Sequence, residues 1–277
     1  MVFQITLLRV FLALSSPLRF NYWNILFIFD SNKAKPMKKA AVVVFALISL
    51  LTAGCREEQE KPKVTYENPN AAKKDVKPKD STQFEVSDLP VHMEGTKYLI
   101  HPIGDLRIYD DNSRSYGSSR TNNVSYAISN YNRFELTGYF RNLKFQHIDS
   151  TSMRQLTDKV VQIQTVTYLN TVAERTKKHI LVYTLIDGDS NRDGKTDNND
   201  IKSLYLSDAG GHNFTKLSID TRELIDWSLI EAKNRLYFRT IEDINKNGAF
   251  DKNDKVHYNY VDLASLEWKV EEYEPVN

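Results

Sequence analysis

Two twelve-residue stretches constrain this chain more than anything else in it. The first reads Asp189-Ser190-Asn191-Arg192-Asp193-Gly194-Lys195-Thr196-Asp197-Asn198-Asn199-Asp200. The second reads Asp243-Ile244-Asn245-Lys246-Asn247-Gly248-Ala249-Phe250-Asp251-Lys252-Asn253-Asp254, starting 54 residues later (189 to 243). Each has a side-chain oxygen at its first, third, fifth, ninth and twelfth positions and Gly at its sixth. Leu181-Val182-Tyr183 and Leu204-Tyr205-Leu206 flank the first; Leu236-Tyr237-Phe238 and Val256-His257-Tyr258 flank the second. Short β-branched and aromatic runs of this kind make strands, so each stretch is expected to be the tip of a hairpin. A hairpin loop of this length is costly to order unless something inside it stiffens it.

The residue types suggest what that is. Calcium is a hard cation that takes six to eight oxygens. A tight loop supplies them when alternate side chains turn inward, a Gly makes the sharp bend and a carboxylate returns at the end. The candidate ligands are Asp189, Asn191, Asp193, Asp197 and Asp200 in the first loop, and Asp243, Asn245, Asn247, Asp251 and Asp254 in the second. The carbonyls of Lys195 and Ala249 would complete the two shells. The loops resemble the calcium loops of dockerins and related extracellular repeats, which often end in Asp as Asp200 and Asp254 do. One or two calcium ions are therefore expected, with weaker binding in the Asn-richer second loop. The competing reading is a pair of polar turns without metal, since Asp, Asn and Gly favour turns in any case.

Strand-like runs continue on both sides of the loops: 96–103, 123–129, 134–140, 142–148, 160–169, 180–186, 201–207, 235–241, 256–263 and 268–270. No long stretch has apolar residues at a 3.6-residue period, and the best helical candidate is 221–227. An all-β domain over 88–277 is expected. Three segments repeat a strand closing on Asp: Leu143 to Asp149, Leu204 to Asp208 and His257 to Asp262. The second, with Gly210-Gly211 behind it, then Ile225-Asp226-Trp227-Ser228 and Arg235-Leu236-Tyr237-Phe238, resembles the repeat of Tol-type β-propellers. That resemblance implies four-stranded, propeller-like blades, of which only about three or four fit between Asp88 and Asn277. The fold expected is thus an atypical or incomplete β-propeller, with a β-sandwich as the alternative.

The N-terminal part addresses the chain. Met37-Lys38-Lys39 is followed by an apolar run to Leu51, then Thr52-Ala53-Gly54-Cys55. Basic start, short apolar run and small-residue cut site make a signal peptide over 37–54, and the run is too short for a comfortable membrane span. Its ending resembles the lipobox of bacterial lipoproteins, with Thr52 where Leu is usual. The resemblance implies cleavage before Cys55 and lipid chains on that Cys, which give a stable membrane anchor. Residues 1–36 are read as a mis-assigned extension ahead of Met37, or alternatively as a real N-terminal anchor. Residues 55–87, rich in Lys, Glu, Asp, Asn and Pro, are expected to be a flexible tether. Their acidic start, Glu57-Glu58, is similar to the surface-export signals of some Gram-negative lipoproteins. The expected location is the cell envelope, at the outer membrane, periplasmic or surface-facing.

Charge and motifs narrow the function. Lys+Arg total 37 against 36 Asp+Glu, which gives no argument for a nucleic-acid partner. The one Cys excludes an intramolecular disulfide framework and Cys-rich metal sites. There is no nucleophile elbow, Gly-rich phosphate loop or His-Glu-x-x-His motif. His147, His179 and His257 are read as packed or solvated, and Trp227 and Trp268 as core rather than sugar-binding. The expected function is a non-catalytic binding or structural module with an envelope protein or glycan partner. The alternative is an envelope hydrolase, for example one acting on glycans, whose carboxylates meet only in the fold.

Overall fold

Strand β8 (Ile180–Ile186) organises the domain, because every one of its seven residues is buried. Leu181, Tyr183 and Leu185 face one hydrophobic core, while Ile180 and Val182 face another. A strand apolar on both faces needs a layer on each side, and this sequence supplies both. The structure is a computed structural model that describes residues 62–66, 83–107 and 127–276, all within one compact unit, 60–277. The signal peptide, Cys55 and the 1–36 extension lie outside the described residues.

The first sheet runs β1 (Gln83–Ser87), β3 (Tyr98–Arg107), β5 (Glu135–His147), β7 (Gln162–Tyr168), β8, β9 (Lys202–Asp208) and β10 (Thr215–Lys216), all antiparallel. Short strands β2 (Val91–His92), β4 (Ser129–Asn132) and β6 (Met153–Gln155) pair with β3 or β5. The first core gathers Ile100, Leu136, Phe140, Leu143, Phe145, Ile163 and Val166 around the inward face of β8. The second sheet is a meander of β11 (Arg222–Ile230), β12 (Arg235–Glu242), β13 (Lys255–Asp262) and β14 (Val270–Tyr273). Its Leu224, Leu236, Phe238 and Val261 join Leu204 and Leu206 of β9 in the second core. Each fully buried aliphatic side chain here contributes roughly 1.5–3 kcal/mol of hydrophobic stabilisation.

Bulges shape the long strands. Between Ile103 and Gly104 the partner residue on β5 jumps from Asn142 to Phe140, so Arg141 is unpaired. The inward set on β5 accordingly changes parity, from Leu136 and Phe140 to Leu143 and Phe145. The runs 134–140 and 142–148 are therefore one strand.

The all-β class expected from the sequence is observed. The described strands form two open antiparallel sheets that share a core, rather than separate blades around an axis. Two of the three repeat segments, ending at Asp149 and Asp208, fall in the same sheet, and only the third lies in the four-stranded meander. Most of the segment 221–227, expected to be the best helix, belongs to strand β11, and the α-helix among the described residues is α1 (Asn170–Thr176), ending on Lys177 in the left-handed conformation. Residues 83–87, assigned to the tether from composition, pair with β3 as β1. Among the described residues no helix is long and apolar enough to cross a membrane.

Candidate functional site

Both acidic stretches are hairpin tips. The first joins β8 to β9 and the second joins β12 to β13, each pair antiparallel and in continuous register. The two loops repeat one hydrogen-bond frame position by position. In the first, the Asp189 carboxylate accepts from the N–H groups of Asp193 (3.0 Å) and Gly194 (2.8 Å). In the second, Asp243 accepts from Asn247 (3.2 Å) and Gly248 (2.7 Å). Asn191 and Asn245 accept from the residue two places on, as do Asp193 and Asn247, and then Asp197 and Asp251. The closing carboxylates return to the start. Asp200 accepts from Ser190, Asn191 and Asp197, and Asp254 accepts from Ile244 and Asp251.

The backbone matches too. The fourth residues, Arg192 and Lys246, have φ of 59° and 57°, and the sixth, Gly194 and Gly248, have φ of 87° and 85°. Those glycines take a conformation that L side chains avoid. Every side chain expected to supply a ligand oxygen thus accepts a backbone N–H of its own loop, and a carboxylate so held keeps lone pairs for a cation. The donor set is all oxygen, as a hard cation requires. Among the described residues no group of three or more His, Cys, Asp or Glu is gathered to hold a metal, so an ion here would also need the Asn side chains and the carbonyls of Lys195 and Ala249. Asp187, just before the first loop, is not free for that purpose. Burial works to raise its carboxyl, but hydrogen bonds from Lys216, Tyr205 and Ser203 overcome this and hold it below the usual range.

Residues 62–66 complete the site, and composition gave no hint of them. The Lys63 and Val64 N–H groups donate to the Gly248 carbonyl (2.7 and 3.1 Å), and Thr65 N–H donates to the Ser190 carbonyl (2.9 Å). Thr65 Oγ1 donates to the Asn191 carbonyl and Ser190 Oγ donates to the Lys63 carbonyl. Tyr66 donates its hydroxyl to Asp243 Oδ2 (3.0 Å), and burial and that carboxylate push its pKa up to about 12. Val64 is buried, and Lys63 pairs with Glu223 at 2.8 Å. The one legible signal was Val64-Thr65-Tyr66, a strand-prone triplet in a charged stretch.

Two other features bear on function. The face of the second sheet turned away from its core carries Tyr237, Tyr258, Tyr260 and Tyr273, with ring centroids 5.5–6.0 Å apart. Arg235 lies 4.3 Å over the Tyr260 ring, and Arg239 pairs through two nitrogens with Asp226 on the same face. Away from the loops, a cleft of about 430 Å³ is lined by Lys97, Tyr98, His147, His179 and Asp208. Asp208 is its one lining carboxylate, and Oδ1 already accepts from Gly210 and His212. His257 is buried between Glu272 (2.6 Å) and Glu242 (2.8 Å), and Trp227 and Trp268 pack on the second core. A comparison with known proteins found no match to a family model, a curated sequence or a solved structure.

Proposed function

We propose that this chain is a cell-envelope lipoprotein, anchored through Cys55, whose β-domain is a non-catalytic binding module stiffened by calcium. The observation that carries the calcium reading is the position-by-position match of the two loops in hydrogen bonds and backbone angles. Two unrelated polar turns have no reason to repeat one frame through twelve residues. The ligands would be Asp189, Asn191, Asp193, Asp197, Asp200 and the Lys195 carbonyl in the first loop. In the second they would be Asp243, Asn245, Asn247, Asp251, Asp254 and the Ala249 carbonyl. When bound, the ion supplies stiffness rather than chemistry, neutralising clustered carboxylates and cross-linking the hairpin tip. Extracellular modules bind calcium at roughly 0.1–1 mM, so the ion would be resident rather than a signal.

The tyrosine face supports the binding role. It offers flat aromatic area ringed by Arg235, Arg239, Asp226 and Glu271, which suits a polar ligand with apolar faces such as a glycan. The hydrolase alternative needs a carboxylate pair, and the cleft near His147 offers only Asp208.

Calorimetric calcium titration and thermal unfolding of residues 56–277 test the reading. Calcium at about 100 times its Kd should add about 2.7 kcal/mol per occupied site. The gain should vanish in the Asp189→Ala/Asp243→Ala double variant. No heat of binding at millimolar calcium would reduce the loops to polar turns. Binding to envelope glycans that survives Tyr237→Ala/Tyr258→Ala would remove the tyrosine face from the account.

A further inference from the structure

The cleft lined by His147 and His179 stands apart from both acidic loops. His179 immediately precedes β8 and Asp208 closes β9, where Ile180 pairs with Asp208. The first loop leaves the same hairpin at its other end, between Ile186 and Lys202, ~20 Å away at ~3.3 Å per residue. His147 and Lys97 come from the end of β5 and the start of β3, which are not neighbours of β8 or β9 in the sheet. The two halves meet because the turn after β9 carries no side chains to hold them apart. A Cβ on Gly210 would lie 2.7 Å from the Tyr98 ring, and one on Gly211 2.6 Å from the Phe145 ring. Arg154 fastens the same turn by donating to the Gly211 carbonyl (2.6 Å). Close packing from both halves therefore holds the cleft in shape.

Its polar groups divide unevenly. The Asp149 N–H donates to His147 Nδ1 (3.2 Å), so that nitrogen is an acceptor and the ring proton sits on Nε2. The Asp149 carboxylate, 3.7 Å from the same nitrogen, is too far to bond to it. The Tyr168 hydroxyl lies 2.7 Å from His179 Nδ1 and has no other partner among the described residues. It donates there, which puts the proton of the second ring on His179 Nε2. Among the described residues neither Nε2 has a partner, and nor has the Lys97 ammonium. The lining thus carries three unpaired donors. Asp208 supplies the acceptor: its Oδ1 already takes the Gly210 and His212 N–H groups, and Oδ2 has no partner among the described residues.

We propose that this cleft binds a sugar acid, whose single carboxylate accepts from Lys97, His147 and His179 while a neighbouring hydroxyl donates to Asp208 Oδ2. Donors from three side chains match the lone pairs of one carboxylate. Lys97 and Asp208 offset each other in charge, so the lining suits one negative charge better than the roughly 1.5 to 2 of a phosphate. The volume of about 430 Å³ falls within the ~300–1,000 Å³ of small-molecule sites. With Asp208 as its one carboxylate, the cleft holds a sugar and lacks the pair that would cleave one.

Calorimetry on residues 56–277, which carry the compact unit from residue 60 onward, tests this in buffer freed of calcium over a chelating resin. The probes are glucuronate and galacturonate, with glucose, inorganic phosphate and alanine as controls. At least one uronate should bind, and every control should bind at least about tenfold more weakly. The His147 and His179 ring signals in NMR spectra should move with that uronate, while the signal of His257, buried in the second sheet, stays in place. Lys97→Gln alters an exposed side chain without a partner among the described residues, so the fold is kept, and uronate binding should weaken at least about fivefold. His147→Leu/His179→Leu should abolish binding. Failure of both uronates to bind overturns the proposal. So does a control that binds as tightly, a pair of ring signals that stay still, or a Lys97→Gln chain that matches its parent. Uronate binding that appears only after calcium is added also overturns it, because the ligand would then sit on an acidic loop. None of these outcomes removes the calcium reading, whose own titration stands apart.

Discussion

The two loops share a frame but are braced from opposite ends. In the first, the closing carboxylate is the buried one: Asp200 is 1% exposed, while the opening Asp189 lies open. In the second the order reverses. Asp243 is 4% exposed and Asp254 only half-buried. The neighbours explain the reversal. Asp200 sits under its own loop, holding Ser190 through both N–H and Oγ. Asp243 is roofed by Tyr66, and Gly248 by Lys63 and Val64. The glycines show the same contrast, since a Cβ on Gly194 would meet nothing within 4 Å. Residues 62–66 bond to both loops, but the buried carboxylate of the first is covered by its own loop, whereas that of the second is covered by a segment well over a hundred residues away in sequence.

That contrast is most sharply broken by removing the closing carboxylates in the presence of chelator, where no ion contributes. Asp200→Ala leaves the Ser190, Asn191 and Asp197 N–H groups without their acceptor at a buried site, and should cost about 3 kcal/mol. Asp254→Ala frees two N–H groups that water can reach, and should cost about 1 kcal/mol. Urea unfolding measures both. Equal losses would mean that the burial difference between the loops carries no energy.

Next in size is the glycine pair. Both residues have positive φ, so alanine at either costs about 1 kcal/mol of backbone strain. Gly248→Ala must also displace the Val64 carbonyl and Pro62, and should lose about 2 kcal/mol in all. Its excess over Gly194→Ala should disappear when the chain is shortened to begin after residue 66. An excess that persists would place the crowding elsewhere.

What could be read from the sequence followed local pattern, and what could not followed tertiary contact. Strand β8 was legible as the run 180–186, and the loops as a fixed order of oxygens around Gly. The segment 221–227 misled because Leu224 and Trp227 both pack on the second core at helical spacing. The cause is a bulge, since Ile225 is skipped in the pairing of β11 with β12 and shifts the inward set by one. Arg141 is the bulged residue that made β5 look like two strands. Helix α1 buries only Val172 and Ala173, too few for an apolar period to show. Residues 62–66 were hidden because most of their bonds use a backbone group on at least one side, and composition carries no record of those.

Ion affinity gives the next comparison. The first loop offers four carboxylates to the second's three, Asp193 standing where the second has Asn247. One further carboxylate should tighten calcium by about tenfold, or about 1.4 kcal/mol, within the roughly 0.1–1 mM range of such modules. Calorimetry on the single variants reads each loop alone: Asp243→Ala should retain the tighter site and Asp189→Ala the weaker. The reverse order would mean that the hold of residues 62–66 on the second loop outweighs the charge count.

The smallest effects come from cutting the link of residues 62–66 to one loop at a time. Tyr66→Phe removes only the hydroxyl bonded to Asp243, and Ser190→Ala removes the hydroxyl that Lys63 accepts from and that also receives the Ile201 N–H. A single exposed-edge hydrogen bond is worth about 1 kcal/mol, so Tyr66→Phe should lower stability by that much or less. Ser190→Ala breaks the bond to Lys63 together with those to Asp200 and Ile201, and should cost somewhat more. Because the Tyr66 hydroxyl bonds to Asp243 of the second loop, Tyr66→Phe should weaken calcium at the second site and leave the first unchanged. Equal weakening at both sites would show that residues 62–66 couple the loops into one binding unit.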